Sequence, residues 1–378
     1  MKSHTFTYAT LLILLCFGFT LTSLSQTKKE AKFKVSSGDL LEVSIRQGNI
    51  NLTTGSSNEV TIVAKNLLES ERSLLTMEQK SGKIEVKFKG EDSDNFELEL
   101  TIPASMNLDL STGGGNMSVK GDLKGTVDAS TGGGNITAGN IFGKTDFSTA
   151  GGNISVGDIS GDADLASAGG DMKAGSINGN AEISTAGGNI SVTSVNKLAE
   201  LSTAGGNITI DKVGGKIDAS TAGGNVTVGE VYGSAEISTA GGNINLESAG
   251  GEVEASTAAG NISLKNIKGA VDASTAAGNI YAELYAESNM QSELSSAIGN
   301  VTLKIPGSAK VTIIATLSIS AWGGSDDALE HIKSDFAQTT VDIRGDKRQV
   351  EVIYKLNGGG PTIELNAAMG EIEIRKLK

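Results

Sequence analysis

This sequence is short of the residue types on which most catalytic and metal chemistry rests. Its one cysteine, Cys16, lies close to the start, so the rest of the chain can form neither a disulfide nor a thiolate nucleophile nor a cysteine metal site. There are only 2 histidines, His4 and His331, with 3 prolines and 1 tryptophan in 378 residues. Arginine occurs at Arg46, Arg72, Arg344, Arg348 and Arg375, which leaves residues 106–305 with none. No Ser-His-Asp or Cys-His arrangement can be assembled from this set, and His331, alone, reads as a surface residue. The many glycine-rich turns are not phosphate loops, because neither a Lys-Ser/Thr pair nor a helix follows them. They also lack the G-G-x-G-x-D calcium repeat. No cofactor is therefore expected.

The first residues have the pattern of an export signal. Lys2 supplies the positive start, residues 11–19 are apolar, and Ser23 and Ser25 put small residues at −3 and −1 of a cut before Gln26. Cys16 follows Leu15 rather than a small residue, so plain cleavage is expected in place of lipidation. The apolar stretch is too short for a membrane span, and no later segment is apolar enough to be one. The expected signal peptide is 1–25, and the expected location is exported: periplasmic, outer-surface or secreted. Removing Lys2 and no acid takes the formal charge from −13 to −14, which argues against nucleic acid and anionic lipid as partners.

What the sequence does have is glycine, 50 residues, arranged in a repeat. Taking the Asn of each Gly-Asn-apolar unit as an anchor, the anchors are Asn116, Asn135, Asn153, Asp171, Asn189, Asn207, Asn225, Asn243, Asn261, Asn279 and Asn300. From Asn135 to Asn279 every step is 18 residues. Asn49 and Glu371 lie outside the series but share its pattern. The residue before the anchor is always glycine, which implies either positive φ or backbones too close for a Cβ. The first and third residues after the anchor are apolar, as is the sixth before it: Phe147, Leu165, Ile183, Leu201 and Ile237, for example. Apolar and polar residues alternate within each unit, which is strand periodicity with one buried face. Units this short cannot close as separate domains, so they stack at about 4.8 Å per coil into a rod of roughly 50 Å. The Asn column, from Asn135 through Asn153, Asn189, Asn207, Asn225, Asn243 and Asn261 to Asn279, is expected to form a structural hydrogen-bond ladder along that rod.

Seven residues before each anchor stands an acid. In the regular coils these are Asp128, Asp146, Asp164, Glu182, Glu200, Asp218, Glu236, Glu254 and Asp272, and a serine follows two positions later in nearly every coil. Alternation turns both columns outward. The stripe has two readings: a charged surface that blocks sideways sheet pairing, or a linear anionic face that gathers divalent cations or a cationic partner. Threonine, four before the anchor, alternates inward and so cannot form an ice-binding array.

The run "LELTIPASMNLDLSTGGGNMSVKGDLKGTVDASTGGGNI", the recurring D-A-S-T-x-x-G-N-I unit and the closing "NGGGPTIEL…GEIEI" resemble the bacterial putative-adhesin domain family. The likeness covers about residues 32–378 and brings no functional residues with it. It implies a right-handed β-helix in an exported cell-envelope protein. The expected fold is thus all-β, a single-stranded parallel β-helix of 18-residue coils. Residues 26–105 form an N-terminal cap with irregular coils, 106–305 the regular solenoid, and 306–378 the C-terminal coils and cap, with a short helix over 326–336. The expected function is non-enzymatic: an adhesin-like scaffold offering flat faces to an envelope or surface ligand. The alternative is a carbohydrate-active β-helix enzyme, which needs loops projecting around clustered carboxylates.

Overall fold

The computed structural model describes residues 26–91, 95–285, 291–318, 325–344 and 349–377. The expected signal peptide lies outside these. The chain winds as a parallel β-solenoid of two long sheets. In each regular coil one strand precedes the anchor, as in Ala181–Thr185, and one follows it, as in Ile190–Val195. Each strand pairs in parallel with its counterpart 18 residues on, Ala181 with Ala199 and Ile190 with Ile208, without register shift. The two stacks are called here the acidic sheet (before the anchor) and the anchor sheet (after it).

Burial alternates as the residue pattern requires. Ala235–Thr239 has Ala235, Ile237 and Thr239 inside and Glu236 outside, while Ile244–Ala249 buries Ile244, Leu246 and Ala249. These inward columns from both sheets meet in one continuous hydrophobic core that runs from Leu41 to Ile374. Each aliphatic side chain withdrawn from water contributes about 1.5–3 kcal/mol, and the repeat supplies several per coil.

Between the sheets the chain turns a corner at Thr-x-x-Gly-Asn, where the threonine hydroxyl braces its own coil and ties it to the one before. Thr131 donates its hydroxyl to the Gly115 carbonyl at 2.8 Å and accepts the Gly134 N–H at 3.3 Å. The same pattern recurs at Thr149, Thr185, Thr203, Thr221, Thr239 and Thr257. The glycine before the anchor is explained by close approach: a Cβ on Gly206 would stand 2.0 Å from the Gly188 carbonyl oxygen. Positive φ accompanies it only at Gly48 and Gly299.

Both ends are laid down out of sequence order. At the N-terminal end Leu40–Ile45 lies between Asn107–Thr112 on one side and Lys83–Phe88 on the other. The coil built from 83–103 is therefore outside the coil built from 40–55. Antiparallel strands then close the end, Gln26–Lys34 against Glu59–Leu68 and Leu75–Lys80 against Lys83–Phe88. The C-terminal end mirrors this. Thr362–Met369 returns to stack on Ser292–Ile298, with Val311–Ser318 outside it and the antiparallel strand Gln349–Leu356 beyond. The short helix is Ser325–Glu330 rather than 326–336. Ile332–Ser334 instead pairs in parallel with Ile372–Leu377, because that sheet edge offers backbone partners that a longer helix would leave unused.

One core position breaks the pattern. Thr145 occupies an inward column held by Val127 and Ala163 in the adjoining coils, and its buried hydroxyl has no hydrogen-bond partner among the described residues. Replacing Thr145 with valine keeps the shape and removes the unpaired group, so Thr145→Val is expected to raise stability by about 1 kcal/mol. Denaturant or thermal melting of the two proteins checks this, and a lowered midpoint would show that the hydroxyl has a partner.

Candidate ligand-binding face

The acids singled out by the repeat are brought into one column. In-register pairing sets Asp128 beside Asp146, Asp146 beside Asp164, Asp164 beside Glu182, Glu182 beside Glu200, and so on through Asp218, Glu236 and Glu254 to Asp272. The out-of-order ends extend it: Glu42 stacks on Asp109, and Glu364 stacks on Glu293. Glu85, paired with Glu42, is a further member that the anchor pattern missed. Its strand, Lys83–Phe88, has no Gly-Asn anchor, and only the likeness of I-E-V-K-F to L-E-V-S-I marks it.

Few cations balance this column. At the N-terminal end Lys83 pairs with Glu42, and Lys87 pairs with Glu85 at 2.7 Å. Within the regular coils Lys216 pairs with Glu236 at 2.9 Å, and Lys144 acts on Asp128 and Asp164 through its field. Partial burial against the sheet raises the carboxyl of Asp128 above the usual range, with Asp146 and Asp109 adding to it. Asp164 is raised in the same way by burial and then by Asp146 and Glu182.

Beside the acids runs the serine column, with Ser184, Ser202, Ser220, Ser238 and Ser256 bordering an open trough of about 920 Å³. The trough follows the corner from Ser167 to Ala258, and its floor is the inward-turned threonines. Glu182, Glu200 and Asp218 line a smaller hollow beside it together with Ser184, Ser202 and Ser220. Neither concavity is walled by a projecting loop, since the strands on either side belong to consecutive regular coils.

The asparagine column lies on the far side of the corner. Asn135 Oδ1 accepts the Asn153 N–H at 2.7 Å, and equivalent bonds join Asn153 through Asp171, Asn189, Asn207, Asn225, Asn243 and Asn261 to Asn279. The donor is chiefly the backbone amide, so an acceptor oxygen is all that the position requires. This accounts for Asp171, whose carboxylate receives both the N–H and the Nδ2 of Asn189. The two outlying anchors belong to the same ladder. Asn49 receives Asn116 across 67 residues, and Asn300 receives Glu371 across 71. Glu371 ends the series: its carboxylate meets Lys333 at 2.6 Å and His331 at 3.3 Å, and both hold it below the usual glutamate range. His331 is thus a half-buried member of the C-terminal cap.

Among the described residues no group of three or more His, Cys, Asp or Glu is gathered closely enough to hold a metal ion, and no helix is long and apolar enough to cross a membrane. Fold and surface together define an all-β solenoid whose repeated columns face the solvent. Residues 181–318 match the family model described as Toastrack DUF4097. A "putative adhesin" from Parabacteroides distasonis is 18% identical with a TM-score of 0.32, covering 68% of this chain and 97% of that one. Another from Bacteroides fragilis is 14% identical at 0.23, covering 94% and 99%. A "putative lipid binding protein" from Parabacteroides distasonis is 12% identical at 0.21, covering 93% and 97%. No curated protein matches.

Because the folded-state pKa values of Asp128 and Asp164 lie above the unfolded ones, these acids favour folding below the ordinary carboxylate pKa. That contribution is lost as pH rises through the raised values. The double variant Asp128→Asn, Asp164→Asn is therefore expected to melt higher than the parent at neutral pH. The gap should close towards about pH 3, where the parent acids are protonated too, and should narrow with added salt. Equal melting at neutral pH would contradict the assignment.

Proposed function

We propose that this protein is a non-enzymatic exported scaffold of the cell envelope, adhesin-like in action, that presents its acidic and serine columns as a contact face for a cationic ligand. The observation that carries this reading is the register. Thirteen acids, from Glu42 and Asp109 through the regular coils to Glu364, are stacked by parallel pairing with no slip at the acidic position. A single exposed carboxylate holds a cation weakly, but a rigid row sums its field along the rod and favours a partner with positive charges at matching intervals. Divalent cations would associate with such a row as bridges between neighbouring carboxylates. The serine hydroxyls beside the acids add donors and acceptors for the same partner.

The names of the structural neighbours agree with a role in surface contact, and the absence of projecting loops around the trough weighs against the carbohydrate-active enzyme. Export rests on the residues of the expected signal peptide.

Titration with a lysine-rich peptide, with and without millimolar calcium, tests the contact face. The parent should bind the peptide in a salt-dependent manner, and the triple variant Glu182→Ser, Glu200→Ser, Asp218→Ser should lose much of that binding. If neither peptide nor calcium changes with the triple substitution, the acids serve only to keep the sheet soluble and unpaired.

A further inference from the structure

We propose that the corner following the anchor sheet is a second binding surface, a ridge on which Phe142, Tyr232 and Tyr285 stack against an extended neutral polysaccharide. These rings are 50%, 61% and 38% exposed, whereas Phe147 is buried in the core. All three stand at the same point of their coils. Each follows the buried aliphatic residue of the corner, Ile141, Val231 or Leu284. Each backbone N–H donates to the carbonyl of the corner aliphatic residue one coil earlier: Phe142 to Leu123, Tyr232 to Val213 and Tyr285 to Ile267. The rings therefore form one column parallel to the rod. Five coils separate Phe142 from Tyr232 and three separate Tyr232 from Tyr285, or about 24 and 14 Å at the coil rise.

Exposed apolar side chains scattered singly need no explanation. These three are not scattered, and each is set against polar groups. Lys212 Nζ lies over the Tyr232 ring, 4.8 Å from its centroid, and pairs with Glu230 at 3.6 Å. Tyr285 donates its hydroxyl to Asn266 Oδ1 at 3.4 Å. Phe142 borders a hollow of about 250 Å³ that also has Asn140, Asp158, Ser160 and Asn178 in its wall. Asn178 and Asn196 follow the corner aliphatic residues of two intervening coils, and Asn196 Nδ2 donates to Asn178 Oδ1 at 2.8 Å.

This combination suits a sugar chain. The C–H face of a pyranose meets the negative face of an aromatic ring, and its hydroxyls both donate and accept, as amides and serine do. Aromatic side chains with few rotatable bonds give up little entropy on binding. A protein partner would need a contiguous patch, which rings this far apart do not make. A linear polymer can bridge them, gaining by attachment at several points along one chain. Lys212 faces Glu230 and Asp158 stands beside Phe142, so the ridge has no single sign of charge to select an ionic polymer.

Affinity electrophoresis through gels containing soluble β-glucan, xyloglucan or galactomannan tests the proposal. The parent should be retarded by at least one of them. Each of Phe142→Ala, Tyr232→Ala and Tyr285→Ala should weaken retention about two- to tenfold, and the triple variant should abolish it with the melting temperature unchanged. Tyr232→Phe should retain binding, and the triple Glu182→Ser, Glu200→Ser, Asp218→Ser should leave it intact. No retardation of the parent by any of the three, or full retardation of every ring variant, would overturn the proposal. Equal loss in the acidic-face triple would also overturn it by placing the sugar elsewhere.

Discussion

Each coil of this protein touches the one before it at a point where two backbones come closer than any side chain permits. The glycine preceding the anchor sits against the carbonyl of the matching glycine one coil earlier, and a methyl group there would overlap it. That carbonyl also receives the threonine hydroxyl of the next coil, and the asparagine beside it passes its side-chain oxygen to the next backbone amide. Threonine, glycine and asparagine thus form one interlock per coil. Its repetition without slip is what keeps the aliphatic columns inside and the acidic column outside, since in a strand a one-residue shift would exchange the two faces.

The regular coils were legible because their chemistry is periodic. The anchor glycine, the alternation and the acid seven residues earlier can all be read without coordinates, and the parallel solenoid follows from them. The ends were less legible for a physical reason. Asn49 and Glu371 share the pattern but lie 67 and 71 residues from their ladder partners, because the chain first builds an outer coil and then returns. Nothing local encodes that order; it follows from covering exposed edges with strands of opposite direction. The end of the helix at Glu330 has a similar origin, since the edge of Ile372–Leu377 claims Ile332–Ser334.

The outward residues divide into those that the coil needs and those that it does not. The exposed asparagines accept from backbone amides, and Asp171 substitutes freely because only an oxygen is required. The acids make no such bond to the next coil, and two of them are held where burial and like neighbours disfavour their charge. The rings at the opposite corner are partly exposed, whereas Phe147 in the same array is enclosed. Groups that stability does not require, repeated along a rigid rod, are the places where a scaffold can make its contacts.

The close approach at the corner glycine is the claim on which the rest stands, and a pair of neighbouring substitutions measures it. A Cβ on Gly206 would lie 2.0 Å from the Gly188 carbonyl oxygen, whereas one on Gly205 would meet nothing closer than 3.5 Å. The chain itself places alanine at the second of these positions in other coils, as Ala259 and Ala277. Thermal or denaturant unfolding of Gly206→Ala should show a loss of about 1–3 kcal/mol, while Gly205→Ala should match the parent. Equal stability of the two variants would contradict the account.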